Sequence, residues 1–266
     1  HEHINMLEKV NETIIAKADA NVRTVYIHKL SFDINNNLMG IKSDLIDIDS
    51  KIAEDSVTKE IVDIWVTRAF KGFYDKGFDP LVMVAEIKEP LDGREISIRY
   101  KPTNLGILIA NAMLAVSPGS QLAILNSGSV RLDDELYGEI TQYDIIRTLP
   151  FGGKILQVEM KGSLLLQVLE TGKNNEGSGG YLQTANAEYD NTQNTWLVSG
   201  KTVESEKVYS IAIADYLMTG MEQNMGFLTK DNPGILQVTE PDKSDQGNLR
   251  NDVRLAVIQY LGQKNK

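Results

Sequence analysis

Between Leu122 and Ile155 the chain turns at places fixed by residue chemistry. The apolar run from Leu122 to Leu125 stops at Asn126-Ser127-Gly128, the pattern of a buried strand feeding a tight turn. Further on, Thr141 with Asp144 behind it is an N-cap signature for a helix from Gln142 to Arg147, and Pro150 ends that helix before Phe151-Gly152-Gly153. The strand end therefore carries Asn126 and Arg131, and Phe151 sits on a glycine-flanked turn. Arginine offers a planar fork of donors for phosphate or carboxylate, and an aromatic face can stack against a base. The same residues would also fit an ion pair of Arg131 with Asp133 or Asp134 and a Phe151 lost in a core. The residue types alone leave both readings open.

On either side of this stretch, strand and helix patterns alternate. The apolar residues Ile96, Ile98 and Tyr100 alternate with polar ones, which predicts a strand with Arg99 on its polar side. Thr103 or Asn104 caps a following helix with Leu105, Leu108, Ile109 and Ala112 on its apolar face, and Pro118-Gly119 ends it. A strand from Lys154 to Met160 and a helix from Ser163 to Thr171, ending at Gly172, come next. The polar loop Lys173 to Gly180 shows no feature that requires a ligand. Strands are expected at Tyr181 to Gln183, Trp196 to Val198 and Val208 to Ile213, and a docked helix over Leu249 to Leu261. The fold class expected is α+β, a mixed sheet and helices in layers.

The first part reads differently. Thr13 to Ala16, Val25 to Leu30 and Leu45 to Ile48 are strand-like, with Asn35-Asn36-Asn37 as a turn, and about fifty residues of strands do not make a domain alone. Asp55-Ser56 then caps a helix in which Val57, Ile61, Ile64 and Trp65 recur at helical spacing, to be ended by Gly72 or Gly77.

Bulk properties exclude several classes. Lys plus Arg number 27 against 37 Asp plus Glu, a net charge of -10, which argues against a nucleic-acid polymer or an anionic membrane as partner. A small nucleotide needs only a few local cations and stays possible. No cysteine is present, so thiol catalysis is excluded. No apolar run reaches the ~18 residues of a membrane span. The three histidines are His1, His3 and His28, and nothing positions a base beside a serine, so no Ser-His-Asp arrangement can be argued. The chain lacks an initial Met and reads as a piece of something longer.

Four ordered segments carry a resemblance. Thr103-Asn104-Leu105-Gly106 with Leu108 to Met113, Asn126-x-Gly128-x-Val130-Arg131, Gly138-Glu139-Ile140-Thr141, and Leu149-Pro150-Phe151-Gly152 are similar to the C-terminal domain of the 5'-nucleotidase and UDP-sugar hydrolase family. That resemblance implies residues 1–52 as the tail of a metallophosphoesterase domain, 53–77 as a linker helix, and 78–266 as the substrate-binding domain. It implies that Arg99 and Arg131 hold phosphate, Asn126 contacts the nucleoside, Phe151 and Phe227 sandwich the base, and Asp231 holds the ribose hydroxyls. His1 and His3 would be ligands of a dinuclear site for divalent ions such as Mn or Zn, completed by residues upstream. The full-length protein would then be an exported (periplasmic, cell-surface or secreted), metal-dependent phosphohydrolase acting on a nucleotide or related phosphate ester. The 266 residues alone would be inactive and would bind no metal. The alternative is a non-catalytic ligand-binding or interaction module of the same fold. One segment departs from the family: Gly220 to Gly226 is longer than the usual Gly-Gly-Asp-Gly ahead of the aromatic, here Phe227.

Overall fold

A computed structural model describes residues 3–264. The chain divides into two compact units, one up to Ala69 and one from Phe70 onward.

In the first unit, β1 (Met6–Val10) and β2 (Thr13–Lys17) form one antiparallel hairpin, and β3 (Thr24–Phe32) and β4 (Leu38–Asp47) form another. The expected asparagine turn joins the latter pair: Asp33 Oδ1 accepts from Asn35 N and Asn37 N, each at 2.8 Å, while Asn36 takes the left-handed conformation that Asn tolerates. The helix α1 (Ser56–Tyr74) starts where Asp55 Oδ1 accepts from Thr58 N at 2.8 Å. Gly72 lies inside α1, and Gly77, at φ +83°, closes the turn behind it. The apolar stripe has the expected spacing, yet Val57, Ile61, Ile64 and Trp65 are all exposed.

The second unit opens with β5 (Met83–Asp92), which pairs antiparallel with β7 (Glu135–Thr141). Between them lie α2 (Glu95–Ile98), α3 (Asn104–Ala115) and β6 (Leu122–Asn126). The strand expected around Arg99 is instead the helical turn α2. Long-range hydrogen bonds take its backbone: Asp133 Oδ1 accepts from Glu95 N at 2.9 Å, and the Ile98 carbonyl accepts from Gln183 Nε2 at 2.8 Å. Local alternation lost to these tertiary partners. Thr103 caps α3 by accepting from Gly106 N.

After β7 come α4 (Gln142–Thr148), β8 (Ile155–Lys161), α5 (Gly162–Asn174) and β9 (Leu182–Ala185). The Thr141/Asp144 capping box of α4 is complete in both directions. A small sheet of β10 (Ala187–Asp190), β11 (Thr195–Val198) and β12 (Lys201–Thr202) follows, then β13 (Val208–Ala214), β14 (Ile235–Thr239) and α6 (Val253–Lys264). Gly172 lies within α5 rather than ending it, because Leu182 packs so closely there that only glycine fits.

The central sheet has the order β14-β8-β13-β6-β9, mixed because β13 runs parallel to β6 and antiparallel to β8. Its strands alternate between two cores. Ala123, Leu125, Ala212 and Ala214 face the core that includes α3 and α6, whereas Leu122, Ile124, Ile211 and Ile213 face the core that includes α5. Small residues on the first face let α3, with its own Ala110 and Ala112, approach closely. Large aliphatics fill the second, each contributing about 1.5–3 kcal/mol by leaving water. The layered α+β architecture expected from the sequence is the one observed.

Candidate functional site

β6 ends at Asn126, and the chain must turn there because Gly128 meets another loop. Gly128 N donates to the Gly179 carbonyl at 2.8 Å, and a β-carbon on Gly128 would come within 3.2 Å of Gly179 Cα. This glycine-to-glycine crossing is part of the lining of a cavity of about 800 Å³ in the second unit.

The other side of the cavity is the turn after α4. Gly152 and Gly153 both have positive φ, +63° and +104°, conformations that glycine adopts without strain. The turn is tied down on both sides: Val253 N donates to the Gly153 carbonyl at 2.9 Å, and Asp215 Oδ2 accepts from Lys154 N at 3.0 Å. Phe151, held at the head of this turn, is 70% exposed, so it belongs to the cavity wall and not to a core. The Arg131 guanidinium carbon lies 5.4 Å from the centre of its ring, a cation–π contact. Asp133 Oδ1 accepts from Glu95 N and Asp134 Oδ1 from Glu135 N.

Asn126 is buried, and both ends of its amide are engaged: Nδ2 donates to Glu222 Oε2 at 2.7 Å and Oδ1 accepts from Ser129 Oγ at 2.6 Å. Asn126, Arg131 and Phe151 thus line one cavity. Arg99, Phe227 and Asp231 are not among its lining residues. Arg99 Nη1 pairs with Glu95 Oε1 at 2.7 Å, Phe227 packs against the α5-side core, and Asp231 is exposed.

Several lining groups were not singled out from the sequence. Lys154 and Lys230 both donate to Glu240, at 2.7 and 2.6 Å, and these bonds, that from Lys154 first, hold the Glu240 carboxyl down at about 2. Tyr216, Thr219 and Glu222 come from the segment behind Asp215, and Gly179 from the loop that had looked featureless. The one signal for Glu222 was its place in the segment that departs from the family pattern. Lysines this far apart in sequence give no local signal at all.

The cavity therefore carries Arg131, Lys154 and Lys230 as cations, Asp215, Glu222 and Glu240 as carboxylates, and two exposed aromatics in Phe151 and Tyr216. Of the proposed metal ligands, His1 lies outside the described residues, and the His3 carbonyl accepts from Ala20 N at 2.9 Å. Among the described residues no three His, Cys, Asp or Glu side chains come together to hold a metal ion. No described helix is long and apolar enough to cross a membrane.

Fold and cavity together define a layered α+β domain with a polar-lined cavity at its strand ends. The family model described as "5'-nucleotidase, C-terminal domain" matches residues 83–229, and the chain belongs to that family. It is 29% identical over 204 residues to the trifunctional nucleotide phosphoesterase protein YfkN of Bacillus subtilis, covering 73% of this chain and 13% of that one. It is also 29% identical over 170 residues to UshA of Escherichia coli, covering 62% of this chain and 30% of that one. Among solved structures, the 5'-nucleotidase precursor of Thermus thermophilus shares the fold with a TM-score of 0.69 at 21% identity, covering 98% of this chain and 52% of that one. The chain spans about half the length of that structure, and less of the two curated relatives.

Proposed function

We propose that the unit from Phe70 onward is the nucleotide-binding domain of a metal-dependent phosphohydrolase, with the ligand in the cavity described above. The observation that carries this reading is that Asn126, Arg131 and Phe151, all from the stretch between Leu122 and Ile155, line one cavity together with Lys154, Tyr216 and Lys230. Arg131 holds the phosphate, and Lys154 and Lys230 add positive potential. Phe151 supplies a face for the base. A charge-assisted bond from Arg to phosphate contributes about 1.5–3 kcal/mol, less in an open cleft where salt screens it. A stacked ring contributes about 1–3 kcal/mol.

In this reading, residues 78–266 bind substrate, α1 lies in the 53–77 linker, and residues 1–52 close a metallophosphoesterase domain that supplies the metal chemistry. Exposed Ile27, Leu30 and Phe32 on β3, and the exposed stripe of α1, support a first unit that packs against further protein. Arg99 and Phe227 join the ligand only if their present contacts, with Glu95 and with the core, are exchanged. The 266 residues alone bind nucleotide without hydrolysing it, and the full-length protein is exported. Calorimetric titration of AMP and UDP into the chain tests the binding. A saturable heat with either supports the reading, and none with both refutes it.

A further inference from the structure

Phe151 lines the cavity with most of its surface exposed, so the turn that carries it has to be held from behind. Gly152 and Gly153 leave that turn free to bend, and the start of α6 is what it rests on. A β-carbon on Gly152 would lie 2.8 Å from Arg254 Nη2 and 3.1 Å from Asp252 Oδ2. Arg254 donates to Asp252 through Nε at 2.9 Å and through Nη2 at 2.5 Å, a two-pronged pairing that fixes the plane of the guanidinium. The guanidinium carbon also sits 4.8 Å from the centre of the buried Phe78 ring.

Attraction to a ligand does not explain this arginine's place. Asp252 neutralises it, only 11% of its side chain is exposed, and it is not among the residues that line the cavity. It is a stiff plate in contact with both Phe78 and Gly152. Arg131 has a different support, its backbone N donating to the Thr148 carbonyl at the end of α4 at 2.9 Å. The plate therefore bears on the turn that carries the aromatic ring and not on the segment that carries the cavity's arginine. A lysine at position 254 would keep the charge beside Asp252 and lose the planar fork.

We infer that Arg254 is a positioning residue: through Gly152 it sets the direction in which Phe151 offers its ring to the base. The inference rests on the nucleotide-binding reading above. The test is calorimetric titration of AMP and of ribose 5-phosphate, which keeps the phosphate and lacks the base, into wild type, Arg254→Lys, Phe151→Ala and the double variant. Wild type is expected to prefer AMP. Arg254→Lys shrinks that preference about three- to tenfold by weakening AMP alone, and in the Phe151→Ala background it changes the affinity for neither ligand. A merely structural role would weaken both ligands alike and would not depend on the ring. Should Arg254→Lys fail to fold, Arg254→Gln combined with Asp252→Asn removes both charges together and takes its place. Equal losses for the two ligands, no loss for AMP, or an effect that survives removal of Phe151 would overturn the inference while leaving nucleotide binding standing. Absence of AMP binding by wild type would overturn both, and equal wild-type affinity for the two ligands would remove the stacking by Phe151 on which the inference depends.

Discussion

The guanidinium carbon of Arg131 sits 5.4 Å from the centre of the Phe151 ring. The group assigned to phosphate and the group assigned to the base are therefore neighbours, and one face of the ring already has a cation over it. A base would stack on the other face or displace the arginine. Either way the two residues are coupled, because Phe151 restrains Arg131 before the ligand arrives.

From that coupling, Arg131→Ala and Phe151→Ala should not be additive in nucleotide affinity. The double variant is expected to lose about 0.5–1 kcal/mol less than the sum of the single losses, the size of an exposed cation–π contact. A double-mutant cycle by calorimetry measures this directly. Strict additivity would show that the ring does not position the arginine.

Two glycine substitutions should have opposite signs. A β-carbon on Gly106 would overlap Gln183 Oε1, and Gln183 is fully buried, accepting from Thr103 N and donating to the Ile98 and Lys101 carbonyls. Displacing it leaves buried polar groups unpaired at about 1–3 kcal/mol each, so Gly106→Ala should destabilise by roughly 3 kcal/mol or more. Gly72 lies within α1 with nothing within 4 Å of an added β-carbon, and Gly72→Ala should stabilise by about 0.5–1 kcal/mol. Urea denaturation of both variants, followed by circular dichroism, checks the pair of signs.

Much of the fold could be read before the structure because its signals are local. The Thr141/Asp144 cap and Pro150 bracket α4, and the apolar run ending at Asn126 is β6. The strand expected at Ile96 to Tyr100 failed because Asp133 and Gln183, far away in sequence, take the backbone there. Of the candidate site residues, Asn126, Arg131 and Phe151 lie near turns with sequence signatures, and they line one cavity. Lys154, Lys230 and Glu240 were not legible, since a triad of charges from separate loops exists only after the chain has folded. Glu222 was half visible, as a segment known to differ whose contacts could not be derived.

That charge triad sets a pH dependence. Lys154 and Lys230 hold the folded-state pKa of Glu240 at about 2, below its ordinary value of 4.5. A depressed carboxylate contributes stability that is present above 4.5 and is lost as pH falls through that value toward about 2. Glu240→Gln should therefore flatten the acid side of the stability profile in that window and leave the change above pH 5 unaffected. It should also free both lysines, strengthening AMP binding at neutral pH and low salt by about two- to fivefold, in line with an exposed ion pair. Thermal melts across the acid range and titrations at pH 7 report the two effects separately.

The central claim is that one cavity holds phosphate through Arg131 and base through Phe151. Titration of AMP into wild type, Arg131→Ala and Phe151→Ala at low and high salt tests it most directly. Each variant is expected to bind about tenfold more weakly or worse, since about 1.4 kcal/mol is a factor of ten. Added salt should narrow the gap between wild type and Arg131→Ala while leaving the Phe151→Ala gap nearly unchanged. Equal affinity in all three proteins, with unchanged circular dichroism spectra, would contradict the assignment of this cavity.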